Sequence, residues 1–178
     1  MDKVGTQAVP TGIQYLYSPS LGSHSMPVRS VTYGAGFNAN GNAFLAIYGW
    51  TTKPLVEYYI VDTWVASNPI PSNATSLGSI TVDGAVYDLA VYTRVGLPNL
   101  SAASPPVTTP TTIQTLYSVR RNKRTTGTID ISKHITGWAA AGYSLGSIFD
   151  FQILSCHAYF SAGNCSYLIE DASVNPPA

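Results

Sequence analysis

The chain has 178 residues, enough for one domain with a sizeable core. Charged residues make up only 10%, nine basic against nine acidic, so the formal net charge is zero. No basic stripe is present to neutralise phosphates, which argues against a nucleic-acid partner, and no apolar run reaches the roughly 18 residues of a membrane helix. Hydrophobic residues are 45% of the chain and twelve are Tyr. With few Lys and Glu and many Thr, Ser, Asn and Gly, that composition reads as β-rich. The aromatic rings either stack on sugars or fill the core as cross-strand pairs.

Residues 1–27 carry Pro10, Pro19 and Pro27 and little periodicity beyond a short strand at Ile13–Tyr17. From Val28 strands and turns alternate. Ser30–Phe37 and Ala43–Trp50 flank the turn Asn38–Asn42. Leu55–Trp64 is the most β-prone segment, preceded by a turn at Thr51–Pro54 and followed by a loop at Ser67–Ser72. Ser76–Val82 and Ala85–Arg94 form a hairpin around Asp83-Gly84. Gly96–Pro110 is too rich in proline for a buried strand and reads as a projecting loop. Thr111–Arg121 and Gly127–Ile131 are strands. Ser132–Gly142 is the one helical candidate, capped by Ser132 and ended by Gly142. Phe149–Phe160 and Cys165–Glu170 complete the strands. Many short strands with one helix indicate an all-β antiparallel sandwich or jelly roll. The chain reads as a single domain over 1–178, with a divergent segment at 1–27 and a polar tail at 171–178.

Cys156 and Cys165 lie nine apart around a turn at Ser161–Asn164. They form either a local disulfide or two thiols in neighbouring strands. Three glycosylation sequons begin at Asn73, Asn99 and Asn164. Met1-Asp2-Lys3 leads into polar residues with no signal peptide; Met1 is read as an artificial start and the protein as secreted. His24, His134 and His157 are too scattered for a metal site, and no cofactor is expected. The basic cluster Arg120–Arg124 reads as a solvated turn.

In Glu57-Tyr58-Tyr59-Ile60-Val61, strand period puts Glu57 and Tyr59 on one face and Tyr58 and Ile60 on the other. A carboxylate among aromatics is costly to bury without partners. Glu57 is therefore either catalytic or one half of a salt bridge to Arg94 or Arg120. Asp62 falls on the face opposite Glu57. Cys156 beside His157 suggests a thiol nucleophile, but adjacent strand residues face opposite ways.

The chain resembles glycoside hydrolase family 11, the endo-β-1,4-xylanases. The matching words are Asn40-Gly41-Asn42, Tyr48-Gly49-Trp50, Pro54 through Val61, Asp83-Gly84 with Tyr87-Asp88, Tyr117 through Arg121, His134 with Trp138, and Phe151 through Leu154. Their order holds from about Val31 to Ile169. The resemblance implies a two-sheet β-jelly roll with one helix and a cleft for xylan. It implies a retaining mechanism with two carboxyls about 5–5.5 Å apart, one attacking the anomeric carbon and one protonating the leaving oxygen. On this resemblance Glu57 takes the nucleophile position. Tyr48, Trp50, Tyr59, Arg94, Pro98, Tyr117 and Phe151 are expected to line the cleft, and Gly96–Pro110 forms the thumb over it.

The departures matter as much. His157 stands where the family's acid/base Glu is expected, and Thr115 and Tyr117 replace the thumb-base Gln and its neighbouring Trp. The N-terminal part is shorter than usual, so the groove is either more open or rebuilt by Ile13–Tyr17. An imidazolium beside Glu57 would form an ion pair with it, whereas a neutral imidazole is a weak donor to a sugar oxygen. General-acid help is worth about 10²–10⁴-fold in rate, or about 3–5 kcal/mol. The resulting expectation is a secreted, xylanase-like protein with impaired hydrolysis. Its partner is xylan or another β-1,4-linked plant cell-wall polysaccharide, or a host or inhibitor protein that recognises xylanases. The alternative is an active retaining xylanase with Glu57 as nucleophile and a non-standard acid.

Overall fold

The computed structural model describes residues 13–17, 30–96 and 112–173, with 13–17 and 171–173 described by backbone alone. Among these are ten strands and one helix. They run β1 (Ile13–Tyr17), β2 (Ser30–Ala39), β3 (Asn42–Thr52), β4 (Val56–Val65), β5 (Thr75–Val82), β6 (Ala85–Val95), β7 (Thr112–Arg120), β8 (Thr126–Asp130), α1 (Ile131–Ala140), β9 (Ile148–Tyr159) and β10 (Gly163–Ser173). A seven-stranded sheet has the order β1-β9-β3-β4-β7-β6-β5, and a three-stranded sheet has the order β10-β2-β8. This is the two-sheet jelly roll that the alternating pattern predicts, with one difference. The large sheet is mixed, because β4 and β7 pair in parallel. The β5–β6 hairpin lies outside β7, so the chain returns to β4 running the same way.

Strand period sorts the side chains into two clusters. Tyr58, Ile60, Leu45, Ile47 and Leu116 point toward the small sheet and pack with Val31, Tyr33 and Tyr167. Tyr59, Val61, Ala46, Tyr48, Trp50, Ile113 and Tyr117 point the other way and form a second cluster on the far face of the large sheet. Both faces of β3 and β4 are thus covered, which explains their nearly continuous burial. Gly49 pairs opposite Tyr58, and any Cβ there would collide with the Tyr58 ring. That close approach, rather than a turn, is what this glycine serves.

The helix begins one residue earlier than the sequence suggests. Its cap is Asp130, whose carboxylate accepts from the Lys133 N–H, and not Ser132. Gly142 follows the helix at φ 88°, the left-handed ending expected of it. Trp138 Nε1 donates to the Tyr117 carbonyl at 3.0 Å, and His134 Nδ1 meets Ser118 Oγ at 2.8 Å, so the helix is tied to β7. It is too short to cross a membrane.

Cys156 and Cys165 are bonded, and the bridge joins β9 of the large sheet to β10 of the small one. The two cysteines therefore lie on separate sheets and not on neighbouring strands of one. Closing a nine-residue separation constrains the unfolded chain by about 2–3 kcal/mol. Cys156→Ser should lower the urea-unfolding free energy by that amount; a change below about 0.5 kcal/mol would show that the sheets hold without the bridge.

Candidate active site

Glu57, the second residue of β4, points to the far face and is 3% exposed. Four groups meet its carboxylate. Tyr48 and Tyr59 hydroxyls donate to Oε1 at 3.0 and 3.1 Å. Thr115 Oγ1 donates to Oε2 at 2.7 Å, and Arg94 Nη2 lies 3.0 Å from the same oxygen. Each comes from a different place in the sheet. Tyr59 is two residues along β4, Tyr48 is on β3, Thr115 is directly opposite Glu57 on β7, and Arg94 is at the end of β6. The salt-bridge partner is thus Arg94 and not Arg120, which instead donates to the Tyr87 hydroxyl at 2.9 Å.

The donors are themselves held. Trp50 Nε1 donates to Tyr48 Oη at 2.5 Å, and the Arg94 guanidinium sits 5.6 Å from the Trp50 ring centroid. Burial first, and the Glu57 charge second, raise the pKa values of Tyr48, Tyr59 and Tyr117, so all three hydroxyls keep their protons. Four partners, two of them neutral hydroxyls from a stacked pair of rings 4.6 Å apart, hold the carboxylate in one orientation.

His157 lies on the same side of the sheet, within the aromatic cluster. Its ring stacks on Phe44 at 4.7 Å and meets the edges of Tyr48 and Tyr59 at 5.2 and 5.4 Å. Its polar contact is Ser155 Oγ, 2.8 Å from Nε2. It makes no contact with the Glu57 carboxylate, whose positive partner is Arg94. Desolvation pushes the His157 pKa down to about 4, so the imidazole is neutral near neutrality and the ion pair with Glu57 does not form.

The same burial makes His157 a pH-dependent load on the fold. Its folded pKa is below its unfolded value of about 6.5, so below that pH the unfolded chain binds the proton first and stability falls with pH. The loss runs from about pH 6.5 to 4 for His157 and continues to about 3 for fully buried His134. His157→Gln should remove about 2–3 kcal/mol of the stability difference between pH 7 and pH 4. An unfolding free-energy difference between pH 7 and pH 4 that is the same in wild type and His157→Gln, measured by urea unfolding at both pH values, would refute this.

Over Tyr59 and Tyr117 the surface opens into a depression of about 440 Å³, which Glu57 itself does not line. Phe44, Tyr59, Tyr117 and Tyr159 form its aromatic side; Asn42, Ser67, Asn68 and Ser72 supply polar groups on the other wall, where Pro69, Ile70 and Pro71 are apolar. Aromatic faces with a few amides and hydroxyls, and no charged side chain in this lining, suit a neutral polyhydroxylated ligand. The fold, this depression and the buried glutamate agree with one family, and residues 20–168 match the model of Glycosyl hydrolases family 11. The chain belongs to this family. It is 40% identical to Endo-1,4-beta-xylanase 3 of Pyricularia oryzae over 141 residues, 79% of this chain and 56% of that one. It is 42% identical to Ethylene-inducing xylanase 1 of Verticillium dahliae over 141 residues, covering 79% of this chain and 59% of that protein. Endo-1,4-beta-xylanase B of Gibberella zeae is likewise 42% identical over 141 residues, 79% and 58%. The chain thus spans somewhat over half the length of these relatives.

Against the family 11 pattern, the structure gathers Glu57, Tyr48, Tyr59, Arg94, Tyr117 and Phe151 at one place, with Phe151 edge-on to Tyr48 at 5.5 Å. Trp50 differs from its expected role as a substrate contact. It is completely buried and acts behind Tyr48. Pro98 and Asn99, with most of the expected thumb at Gly96–Pro110, lie outside the described residues. Asn73 is exposed on a turn, and Asn164 is exposed on β10 opposite Asn38. Asp62 faces the inter-sheet core, bonded to Tyr33 and Tyr87. Cys156 is consumed by its disulfide and offers no thiol. The basic turn is not free charge: Arg121 pairs with Asp88, Arg124 pairs with Asp62, and Lys123 covers the Trp64 ring. The β1 strand pairs along β9 from Ile13–Ser155 to Tyr17–Gln152, so it extends the large sheet. Sequence reasoning overlooked Thr115 as a carboxylate donor and Phe44 and Tyr159 as lining rings. The signal for the rings was available, since Phe44 shares parity with Tyr48, and Tyr159 with His157.

Proposed function

We propose that this is a secreted xylanase-like protein that binds β-1,4-xylan, or a related neutral cell-wall polysaccharide, and hydrolyses it poorly. The observation that carries this reading is the chemistry at His157. A retaining glycosidase needs a protonated acid at the leaving oxygen. His157 stands in that acid's position, is neutral near neutral pH, and has its Nε2 engaged with Ser155. Glu57 keeps the geometry of a nucleophile, with two tyrosines on Oε1 and Thr115 and Arg94 on Oε2. The binding half of the family's function therefore remains while the proton-donating half is weakened. The names of these three relatives, all xylanases, support xylan as the ligand.

The test is titration calorimetry with xylo-oligosaccharides alongside reducing-sugar release from xylan. Binding with turnover far below an ordinary xylanase supports the reading. Turnover equal to an ordinary xylanase would favour the alternative, an active enzyme with Glu57 as nucleophile and an unusual acid. Absence of binding would instead favour a scaffold that serves as a decoy or contact surface for a host or inhibitor protein.

A further inference from the structure

Among the described residues, β1 and β5 are the end strands of the large sheet, and β10 and β8 those of the small one. An end strand presents a row of unpaired N–H and C=O groups that a second chain can pair with. Short length, charged side chains, proline and bulges are the usual protections. β1 and β8 are short, at five residues each. β5 and β10 are longer, at 8 and 11 residues.

These two long edges lack charge and proline over most of their length. β5 reads Thr-Ser-Leu-Gly-Ser-Ile-Thr-Val, without either. β10 reads Gly-Asn-Cys-Ser-Tyr-Leu-Ile before its first charge at Glu170. Each has one register shift, between Ser76 and Gly78 in β5 and between Ile169 and Asp171 in β10. Beyond these shifts Gly78–Val82 and Gly163–Ile169 pair regularly with β6 and β2. Uncharged, proline-free stretches with β-branched and aromatic residues are the kind that template edge-to-edge addition. Leu168, 43% exposed, adds an apolar side chain to the open face of β10.

Both long edges begin at a glycosylation sequon. Asn73-Ala74-Thr75 runs into β5, whose first residue is Thr75. The Ala74 N–H donates to the Pro71 carbonyl at 3.0 Å, which sets Ser72 and Asn73 at the exposed tip of a turn. Asn164-Cys165-Ser166 opens β10. There strand period turns Cys165 and Tyr167 into the core and leaves Asn164 and Ser166 exposed. A glycan on either asparagine would project into solvent without displacing a core side chain, and it is bulky and solubilising.

We propose that N-linked glycans on Asn73 and Asn164 guard the two long sheet edges and keep a second copy of the chain from pairing there. This rests on the reading that the protein is secreted, and on no part of the xylan reading.

The full chain, secreted from yeast behind a leader, tests it. Peptide mass spectrometry after enzymatic glycan release should find Asn73 and Asn164 converted to Asp. Thr75→Ala with Ser166→Ala removes both sequons and should raise light scattering several-fold on incubation. Thr75→Lys with Ser166→Lys also removes both sequons but puts a charge on each edge, so it should stay as clear as wild type. Either asparagine found unmodified would overturn the proposal, and because the leader supplies secretion, that failure is separate from the secreted reading. Occupancy behind the leader but not in protein from its own source would overturn it through the secreted reading instead. Scattering equal in wild type and the Ala pair, or equal and raised in the Ala and Lys pairs, would also overturn it. So would a urea midpoint lowered alike in both pairs, since the glycans would then support the fold and not the edges.

Discussion

His157→Glu is expected to raise reducing-sugar release from xylan by about 10²–10⁴-fold, the usual value of a positioned general acid. The site is prepared for it. The desolvation that pushes His157 down to about 4 acts in the opposite sense on a carboxylic acid, because it disfavours whichever form is charged. A glutamic acid at this position would be held protonated by burial, while the Glu57 carboxylate is paired with Arg94 at 3.0 Å. Two carboxyls pushed apart in pKa by their surroundings are the requirement of a retaining pair. Ser155 Oγ, which now meets His157 Nε2 at 2.8 Å, is available to orient the new side chain. The comparison must include an aryl xyloside with a good leaving group, which needs no acid. On that substrate wild type and His157→Glu should differ by less than about tenfold. If the variant gains nothing on xylan while the aryl substrate is cleaved, the missing acid is not what limits this protein. Misplacement by about 1 Å, or the change to Thr115 and Tyr117, would then be the dominant cost.

Asp62→Ala should destabilise the fold by about 3–5 kcal/mol, or about 10 °C in Tm for a chain this size. Asp62 is 1% exposed and has no opposite residue on β3, because the β3–β4 register shifts between Leu45 and Ala46. The unpaired position turns its carboxylate into the space between the sheets. There Tyr33 Oη donates to Oδ2 at 2.8 Å, Tyr87 Oη to Oδ1 at 2.7 Å, and Arg124 Nε to Oδ2 at 2.7 Å. The Arg124 N–H also donates to the Asp62 carbonyl at 3.0 Å. These groups come from β2, β6 and the turn before β8, so one carboxylate joins both sheets. Removing it strands a guanidinium whose side chain is 19% exposed and two phenols, each an unmet donor. Asp62→Asn should cost less, since an amide oxygen still accepts while only the charge is lost. Urea unfolding with the disulfide kept oxidised measures both. A loss below about 1 kcal/mol for Asp62→Ala would show that solvent readily replaces these contacts.

Most of the fold was legible because it rests on short-range pattern. Alternation along Leu55–Trp64 assigned Glu57 and Tyr59 to one face and Asp62 to the other, and turn residues such as Asp83-Gly84 marked the hairpin between β5 and β6. Sequence words also sufficed for the family, since many short matches in fixed order leave little freedom. Boundaries moved by a residue or two because hydrogen bonding, and not composition, ends a strand. That is why Asp130 caps α1 in place of Ser132.

What only the tertiary structure decided is who meets whom. Thr115 is 58 residues from Glu57 in the chain, yet lies opposite it because β7 returns in parallel beside β4. The choice of Arg94 over Arg120 as counter-ion follows from the same strand order, and so does the burial of Trp50 behind Tyr48. The disulfide reads in sequence as a local loop, but in space it spans the two sheets. Local periodicity thus chose the face of each side chain. The charge state of His157 and the partners of Glu57 depend instead on long-range strand pairing, which excludes water from groups the chain alone would leave solvated.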